Sequence, residues 1–138
     1  MSTALEDRGA IADLIHTYAK AMRHARPADS IALFTADGAF EVRDGMPGAA
    51  DFTVRNRLEG MAQLEAYLVH RDGGPAKVCP LIHNILIDLD GDTARANCVM
   101  ETPVLGTVHR IIGEYADSFR RDDGTWRFSE RIYTIFPA

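Results

Sequence analysis

The sequence has no long apolar run and little basic charge, and both absences restrict what the protein can be. Its 138 residues hold 15 Lys and Arg against 20 Asp and Glu, a formal net charge of −5. No basic run would follow a phosphate backbone, so we expect no nucleic-acid partner. The apolar stretches fall far short of the ~20 residues that span a bilayer. The N-terminus MSTALEDRGA is acidic, where a signal peptide is basic and then apolar. These features predict a soluble, cytoplasmic protein without a membrane partner.

Motifs for metals, nucleotides and nucleophilic serine are also missing. Cys79 and Cys98 lack the spacing of a disulfide framework or a zinc site. Four histidines form no HxxxH or HxH pair: His16, His24, His70 and His109. The chain has no GxGxxG, GxxxxGK[ST] or GxSxG motif. We therefore expect no metal site and no cofactor.

The first half of the chain has the pattern of helices with short strands between them. Thr3 and Glu6 resemble a capping box, and apolar residues at helical spacing follow, so a helix is predicted over about 4–24. A short second helix fits residues 27–35, with a stop signal at Asp37-Gly38. The remaining elements of this half are strands near 39–43 and 52–57 and a third helix of about ten residues after Gly60.

The last 60 residues change to a period of two, which is typical of strands. The pattern predicts strands near 78–89, 93–104, 107–121 and 125–135. Their connections are predicted hairpin turns at Asp90-Gly91, Leu105-Gly106 and Asp122-Asp123-Gly124. We expect one domain over residues 1–138, of the α+β class, with helices on one face of a curved antiparallel sheet. Such a bent sheet closed by helices also makes a pocket.

Several segments together resemble the SnoaL-like group of the NTF2-like superfamily. They are IADLIHTYAKAM, LFTADGAF, LEGMAQLEAYL, PLIHNILIDLDGDTA and GEYADSFRRDDGTWRFSERIY. The resemblance implies a cone-shaped α+β barrel whose three helices enclose an apolar pocket, assembled as a homodimer or trimer. Enzymes of the superfamily include scytalone dehydratase, a bile acid dehydratase and ketosteroid isomerase, whereas other members only bind or scaffold.

The resemblance also implies roles for individual residues. His83 is similar to the catalytic His of the dehydratase branch, Tyr18 to its pocket Tyr, and Arg131 to its last-strand Arg. The Asp that orients the His in that branch is replaced by Arg23. We predict His83 on the strand face that also carries Leu81, Ile85, Ile87 and Leu89, where a neutral imidazole acts as a general base.

The remaining candidate residues have two readings each. Arg23 either binds a carboxylate or enolate at the pocket mouth or points into solvent. Arg131 either stabilises an anion in the pocket or forms an ion pair, for example with Glu101 or Glu114. Glu101 or Asp117 replaces the missing Asp as a partner of His83. The predicted pocket wall consists of Tyr18, Met22, Phe34, Phe40 and His83.

These residues support three hypotheses. The first is a cofactor-independent lyase or isomerase on a small hydrophobic, cyclic or polyketide-like substrate, with His83 as base and Tyr18 and Arg131 stabilising negative charge. The second is a protein that binds a hydrophobic ligand or acts as an accessory protein without chemistry, which Arg23 favours. Epoxide or ester hydrolysis ranks last, because no Asp-Arg-Asp arrangement can be traced. We also predict a homo-oligomer, because apolar residues such as Val99, Ile112 and Phe136 cannot all face one small cavity.

Overall fold

Three helices and six strands make up the computed structural model, which describes residues 2–68 and 77–138. The helices are α1 (Ala4–Arg23), α2 (Pro27–Ile31) and α3 (Met61–Leu68). The strands are β1 (Phe34–Gly45), β2 (Phe52–Glu59), β3 (Leu81–Asp90), β4 (Thr93–Pro103), β5 (Arg110–Asp122) and β6 (Thr125–Ile135). His70 and the predicted end of the third helix at 71–75 lie outside the described residues.

Helix α1 begins as the sequence predicts. The Thr3 hydroxyl accepts a hydrogen bond from the Glu6 backbone N–H, and the Glu6 carboxylate accepts one from the Thr3 backbone N–H. This capping box satisfies two backbone donors that have no partner inside the helix. Ile11, Ile15 and Tyr18 form the buried stripe of the helix, so the predicted helical spacing and its core-facing side are confirmed.

The six strands form one curved, open sheet in the order β2-β1-β6-β5-β4-β3. Strands β1 and β6 are parallel, and the other neighbours are antiparallel. The turns at Gly91 and Gly124 occur where the sequence predicts them, and these glycines adopt φ of 61° and 76° that favour glycine. The β4–β5 connection is longer than predicted, because β4 ends at Pro103 and β5 begins at Arg110 rather than at residue 107. The predicted α+β fold class is confirmed. In the described part of the chain the sheet does not close, because β2 and β3 form its two edges.

The three described helices cover one face of this sheet, which we call the inner face. Its buried side chains include Met100, Tyr115 and Phe128, and α1 packs Ile11, Ile15 and Tyr18 against them. The opposite side is the outer face. One row across it consists of Leu86, Asn97, Ala116 and Ile132, which are successive cross-strand partners from β3 to β6.

Strand β1 begins earlier than the sequence predicts. The predicted second helix over 27–35 ends at Ile31, and β1 starts at Phe34 rather than at residue 39. The reason is a long-range contact: Phe34 pairs with Phe128 of β6, and the Phe128 backbone N–H donates to the Leu33 carbonyl at 2.9 Å. The sequence marks Asp37-Gly38 as the end of a helix. Pairing with β6 instead makes these two residues part of β1.

Two strand irregularities decide which side chains reach the inner face. In β3 the pairing register shifts between His83 and Leu86, and Asn84 there has a φ of 56°. In β6 the pairing register shifts at Ser129. Phe128 pairs with Phe119 and Glu130 pairs with Ser118, so Ser129 between them has no partner on β5. Each irregularity adds one residue to its strand relative to the partner strand, which changes the side of the sheet that later side chains occupy.

Candidate functional site

A buried ion pair lies at the centre of the inner face. Arg131 of β6 and Asp117 of β5 are direct cross-strand partners. Arg131 donates two hydrogen bonds, from Nε to Asp117 Oδ1 at 2.8 Å and from Nη2 to Asp117 Oδ2 at 3.1 Å. Both side chains are fully buried. Two parallel hydrogen bonds of this kind fix the guanidinium in one orientation.

Aromatic rings surround the guanidinium of Arg131. Its central carbon lies 3.5 Å from the ring centroid of Tyr115, 4.4 Å from that of Phe128 and 4.5 Å from that of Tyr18. A cation over an aromatic face is attracted by the ring quadrupole, and more strongly when both groups are desolvated. The Nη1 atom of Arg131 is buried without a hydrogen-bond partner. We call Arg131, Asp117, Tyr18 and Tyr115 the inner cluster.

Burial determines the protonation of the inner cluster. It raises the pKa of Tyr18 to about 12 and that of Tyr115 well above the usual tyrosine range, because the apolar surroundings disfavour a phenolate. The pKa of Arg131 is also raised: burial works against its charge, but the attraction of Asp117 prevails. Near pH 7 the cluster therefore holds neutral tyrosines that can donate a hydrogen bond and a permanently charged arginine.

His83 lies on the outer face, away from this cluster. It pairs with Val99 in the β3–β4 ladder, next to Ile82, which pairs with the buried Met100. Neighbouring side chains of a strand point to opposite faces, so Ile82 is inward and His83 outward. The imidazole is 46 % exposed, and its Nε2 lies 2.9 Å from Glu101 Oε1. Arg110 Nη1 lies 3.3 Å from the other oxygen of that carboxylate.

The prediction that His83 shares a face with Ile85, Ile87 and Leu89 is therefore wrong. Those three side chains pack against the core from the inner face. The shift of register between His83 and Leu86, with Asn84 in the left-handed region, separates them from His83. Leu81 does stay on the same face as His83, since it pairs with Glu101.

The predicted pocket wall is also corrected. Tyr18, Phe34 and Phe40 are between 2 % and 7 % exposed and belong to the packed core, and Met22 packs against it. Tyr18 meets Phe34 and Phe128 edge to face, with ring centroids 6.2 and 6.0 Å apart. His83 is on the other side of the sheet, so these residues and His83 do not line one pocket.

The structure shows which partner each charged candidate residue has. Glu101 is the partner of His83, as one alternative predicted, whereas Asp117 belongs to Arg131. Arg131 forms an ion pair, but neither Glu101 nor Glu114 is the partner. Arg23 is exposed at the end of α1 and lines a cavity with the first residues of β3.

Sequence reasoning missed Tyr115. It occupies the inner-face position two residues before Asp117, and its ring is the one nearest to the Arg131 guanidinium. The alternation Gly113, Tyr115, Asp117 and Phe119 is visible in the sequence and is uniformly buried in the structure. Without the pairing register, however, the alternation does not reveal which face of β6 opposes it.

Two features are not found in the described residues. No three His, Cys, Asp or Glu side chains of residues 2–68 and 77–138 come together in a way that would hold a metal ion. No helix in this part of the chain has the length and apolar character needed to cross a bilayer.

Comparison with solved structures shows the same fold in several proteins. A proposed β subunit of an aromatic-ring-hydroxylating dioxygenase from Novosphingobium aromaticivorans has a TM-score of 0.84 at 19 % identity, covering 99 % of this chain and 94 % of that one. A cystatin-like-fold protein of unknown function from Nostoc punctiforme gives 0.80 at 17 %, covering 99 % and 95 %. A proposed scytalone dehydratase from N. aromaticivorans gives 0.70 at 22 %, covering 95 % and 85 %.

The family assignment comes from the sequence. No curated protein matches the chain. The model of the SnoaL-like domain, in contrast, matches residues 3–132, which is nearly the whole sequence. The five segments that carry the resemblance lie in this range, apart from the last residue of the fifth, Tyr133. This chain therefore belongs to the SnoaL-like domain family, within the NTF2-like superfamily.

Proposed function

We propose that this chain is a non-catalytic accessory member of its family, a subunit that assembles through the outer face of its sheet. The observation that carries the proposal is the separation of His83 from Tyr18 and Arg131 by the sheet itself. A general base must lie about 2.6–3.2 Å from the proton that it removes. A substrate in contact with the inner cluster would be out of reach of His83.

The outer face has the composition of an assembly surface. Three aliphatic side chains on it are well exposed: Leu86 at 72 %, Ile112 at 42 % and Leu81 at 41 %. Soluble monomers rarely leave contiguous apolar patches of more than a few hundred Å² open to water. Covering this face in an oligomer would remove these side chains from solvent.

The middle of the outer face is a shallow trough. A cavity of about 420 Å³ is lined by Leu86, Asp88, Arg95, Ala96, Asn97, Ala116, Asp117, Ser118, Glu130 and Ile132. A second cavity, of about 160 Å³, shares Ala116 and Ile132 and continues to the β1–β2 connection at Met46. Because Ala116 is small and exposed between these cavities, another surface can approach the sheet closely at this point.

The charges of the outer face suit a second copy of this chain. Arg95 and Glu130 lie in one row, on either side of Ser118, which pairs with both. Consider two sheets packed face to face with a two-fold axis along β5. That axis brings Arg95 of each copy opposite Glu130 of the other, so the interface contains two symmetric ion pairs. Arg95 forms no ion pair with any residue in the described part of its own chain.

The size of the surface also suits a dimer. Four strands about 4.8 Å apart and about ten residues long, at 3.3 Å per residue, cover about 600 Å² in projection. Stable interfaces bury roughly 800 Å² of accessible surface on each partner. The name of one structural neighbour, a proposed β subunit, describes a protein that works as part of an assembly, and it supports a subunit role for a chain of the same fold.

A charge-swap experiment tests this assembly. We expect Arg95→Glu and Glu130→Arg each to shift the wild-type dimer towards monomer, because like charges then face each other across the interface. The double variant restores opposite charges across the interface and should recover the dimer, less completely than the wild type because Glu130 also binds Arg57 of its own chain, whose Nη2 lies 2.9 Å from Glu130 Oε2. If both single variants stay dimeric, or if the double variant is as monomeric as the singles, this interface is wrong. Analytical ultracentrifugation at micromolar concentration measures all four proteins.

A cofactor-independent lyase or isomerase that acts on a small hydrophobic ligand is the second candidate. It is favoured by the unpartnered Nη1 of Arg131 beside the neutral Tyr18. In that case Asp117 rather than His83 would accept the proton, since burial raises the pKa of Asp117. Exchange of the α-protons of cyclohexanone in D₂O, followed by NMR, tests this candidate. A rate above background that Asp117→Asn lowers by about 10²-fold would replace the accessory role by this one.

A further inference from the structure

A cavity lies between the C-terminal half of α1 and the first residues of β3, at the edge of the sheet. Its volume is about 360 Å³. It is lined by Asp13, His16, Thr17, Ala19, Lys20, Arg23, Pro80, Leu81 and Ile82. We call it the α1–β3 groove. It is separate from the trough of the outer face and from the inner cluster, neither of which contributes a lining residue.

One wall of the groove is basic. His16, Lys20 and Arg23 are spaced by four and three residues, so they lie one above the other on a single face of α1. All three are exposed. Lys20 and Arg23 form no ion pair with any residue among 2–68 and 77–138. Within the described part of the chain these two cations therefore have no ion-pair partner, although the net charge of the sequence is −5.

The acidic residue of the groove is too far away to neutralise these cations. Asp13 precedes Lys20 by seven residues and Arg23 by ten. At 1.5 Å of rise per residue these separations are about 10 and 15 Å along the helix axis. An isolated carboxylate at that distance is screened by ordinary salt. The end of the groove near Arg23 is therefore positively charged.

The floor of the groove is apolar. Pro80, just before β3, and Ile82 of β3 form it, and Ala19 contributes from α1. An apolar floor beside free cations fits a molecule with an apolar body and a negatively charged end. An Arg fork matches a carboxylate in particular, because two of its N–H groups can bind both oxygens.

We propose that the α1–β3 groove binds a small carboxylate with an apolar body, such as an aromatic acid. Arg23 and Lys20 hold the carboxylate, and the ring lies on Pro80 and Ile82. The volume of the groove lies near the lower end of the range of about 300–1,000 Å³ for small-molecule sites, which limits the ligand to about the size of one ring with short substituents. The site does not depend on the assembly proposed above, since it uses none of the central residues of the outer face.

NMR titration of the ¹⁵N-labelled protein with benzoate tests the proposal, since exposed cations bind weakly and shifts report weak binding residue by residue. We expect saturable shifts in α1 and at the start of β3. Benzyl alcohol has the same ring without the charge and should bind at least ten times more weakly. Equal binding of the two compounds, or no saturable shift with benzoate, would overturn the proposal.

Two single variants test which arginine binds the carboxylate of benzoate. Arg23→Gln should raise the dissociation constant for benzoate about tenfold, which is the loss of about 1.4 kcal/mol from a charged hydrogen bond. Arg26→Gln is the matched control. It removes the same charge three residues further on, from a residue that lines a different, adjacent cavity of about 170 Å³. If Arg26→Gln weakens binding as much as Arg23→Gln, the effect is one of overall charge and the site is not the α1–β3 groove.

Discussion

His83 and Tyr18 lie on opposite faces of one sheet. Tyr18 packs on Tyr115 from the helix side, with ring centroids 6.4 Å apart, while His83 points outward from β3 to Glu101. Both residues belong to segments that resemble the catalytic machinery of the dehydratase branch. Their separation means that the family resemblance extends to the fold and to these residue types, but not to a shared pocket.

Substitution of His83 should have little effect on stability. Its side chain is 46 % exposed and its partner Glu101 keeps a second contact with Arg110. We expect His83→Ala to lower the free energy of unfolding by less than about 1 kcal/mol, as for an exposed pair. Urea denaturation measures this. A loss of several kcal/mol would mean that His83 is buried in the protein in solution.

The ion pair of Arg131 and Asp117 should behave in the opposite way. Arg131→Met leaves a buried carboxylate without its counter-charge, so we expect a loss of about 3–5 kcal/mol in the free energy of unfolding. Asp117→Leu alone should cost a similar amount. The double variant removes both charges and should be much more stable than the sum of the single losses predicts. Additive losses in urea denaturation would contradict a direct pair.

Alkaline pH should destabilise the fold through Tyr18. In the folded chain burial raises the pKa of Tyr18 to about 12 from its ordinary value near 10. Between these two values the unfolded state binds fewer protons than the folded state, so the free energy of unfolding falls as pH rises. The full effect is on the order of 3 kcal/mol, because a pKa shift of one unit corresponds to roughly 1.4 kcal/mol.

Tyr18→Phe identifies the contribution of this residue. The variant lacks the titrating group, so its free energy of unfolding should decline less steeply than that of the wild type between pH 10 and 12. Burial also raises the pKa values of Tyr115 and Tyr133. These residues are present in both proteins, so the free energy of unfolding still falls with pH in the variant. Urea denaturation at a series of pH values measures the difference, and identical slopes would show that Tyr18 is accessible to solvent.

The irregularity in β3 should depend on the backbone of Asn84. Its φ of 56° lies in the left-handed region, which asparagine tolerates and β-branched residues avoid. We expect Asn84→Gly to be nearly neutral and Asn84→Val to cost at least about 1 kcal/mol more. Thermal denaturation of the two variants compares them. Equal stability would mean that β3 runs straight through this position, with His83 on the inner face.

The sequence predicts the elements of this fold well because their signals are local. The capping box at Thr3 and Glu6 specifies the start of α1, and Gly91 and Gly124 occupy the turns that require positive φ. These interactions join residues a few positions apart, so they are visible in the printed sequence. The start of β1 at Phe34 is not, because it depends on pairing with β6 far along the chain.

The candidate site is less predictable because one extra residue in a strand changes the face. If the β5–β6 ladder continued without irregularity from the pair Asp122 and Thr125, Glu130 would pair with Asp117. The irregularity at Ser129 moves Arg131 there instead. A buried pair of two carboxylates is thereby replaced by a buried ion pair. Alternation alone gives no sign of such a shift, so the partner of Asp117 was out of reach of sequence reasoning.

Sedimentation of the wild type beside Ala116→Arg tests the central claim most directly. Ala116 is exposed at the centre of the outer face, so a large cation there should block assembly without disturbing the core. Leu5→Arg, at an 81 % exposed position on α1, adds the same charge away from that face. We predict dimers for the wild type and Leu5→Arg and a 15.2 kDa monomer for Ala116→Arg. A wild type that sediments only as a 15.2 kDa species at micromolar concentration, or an Ala116→Arg variant that remains dimeric, would contradict the account.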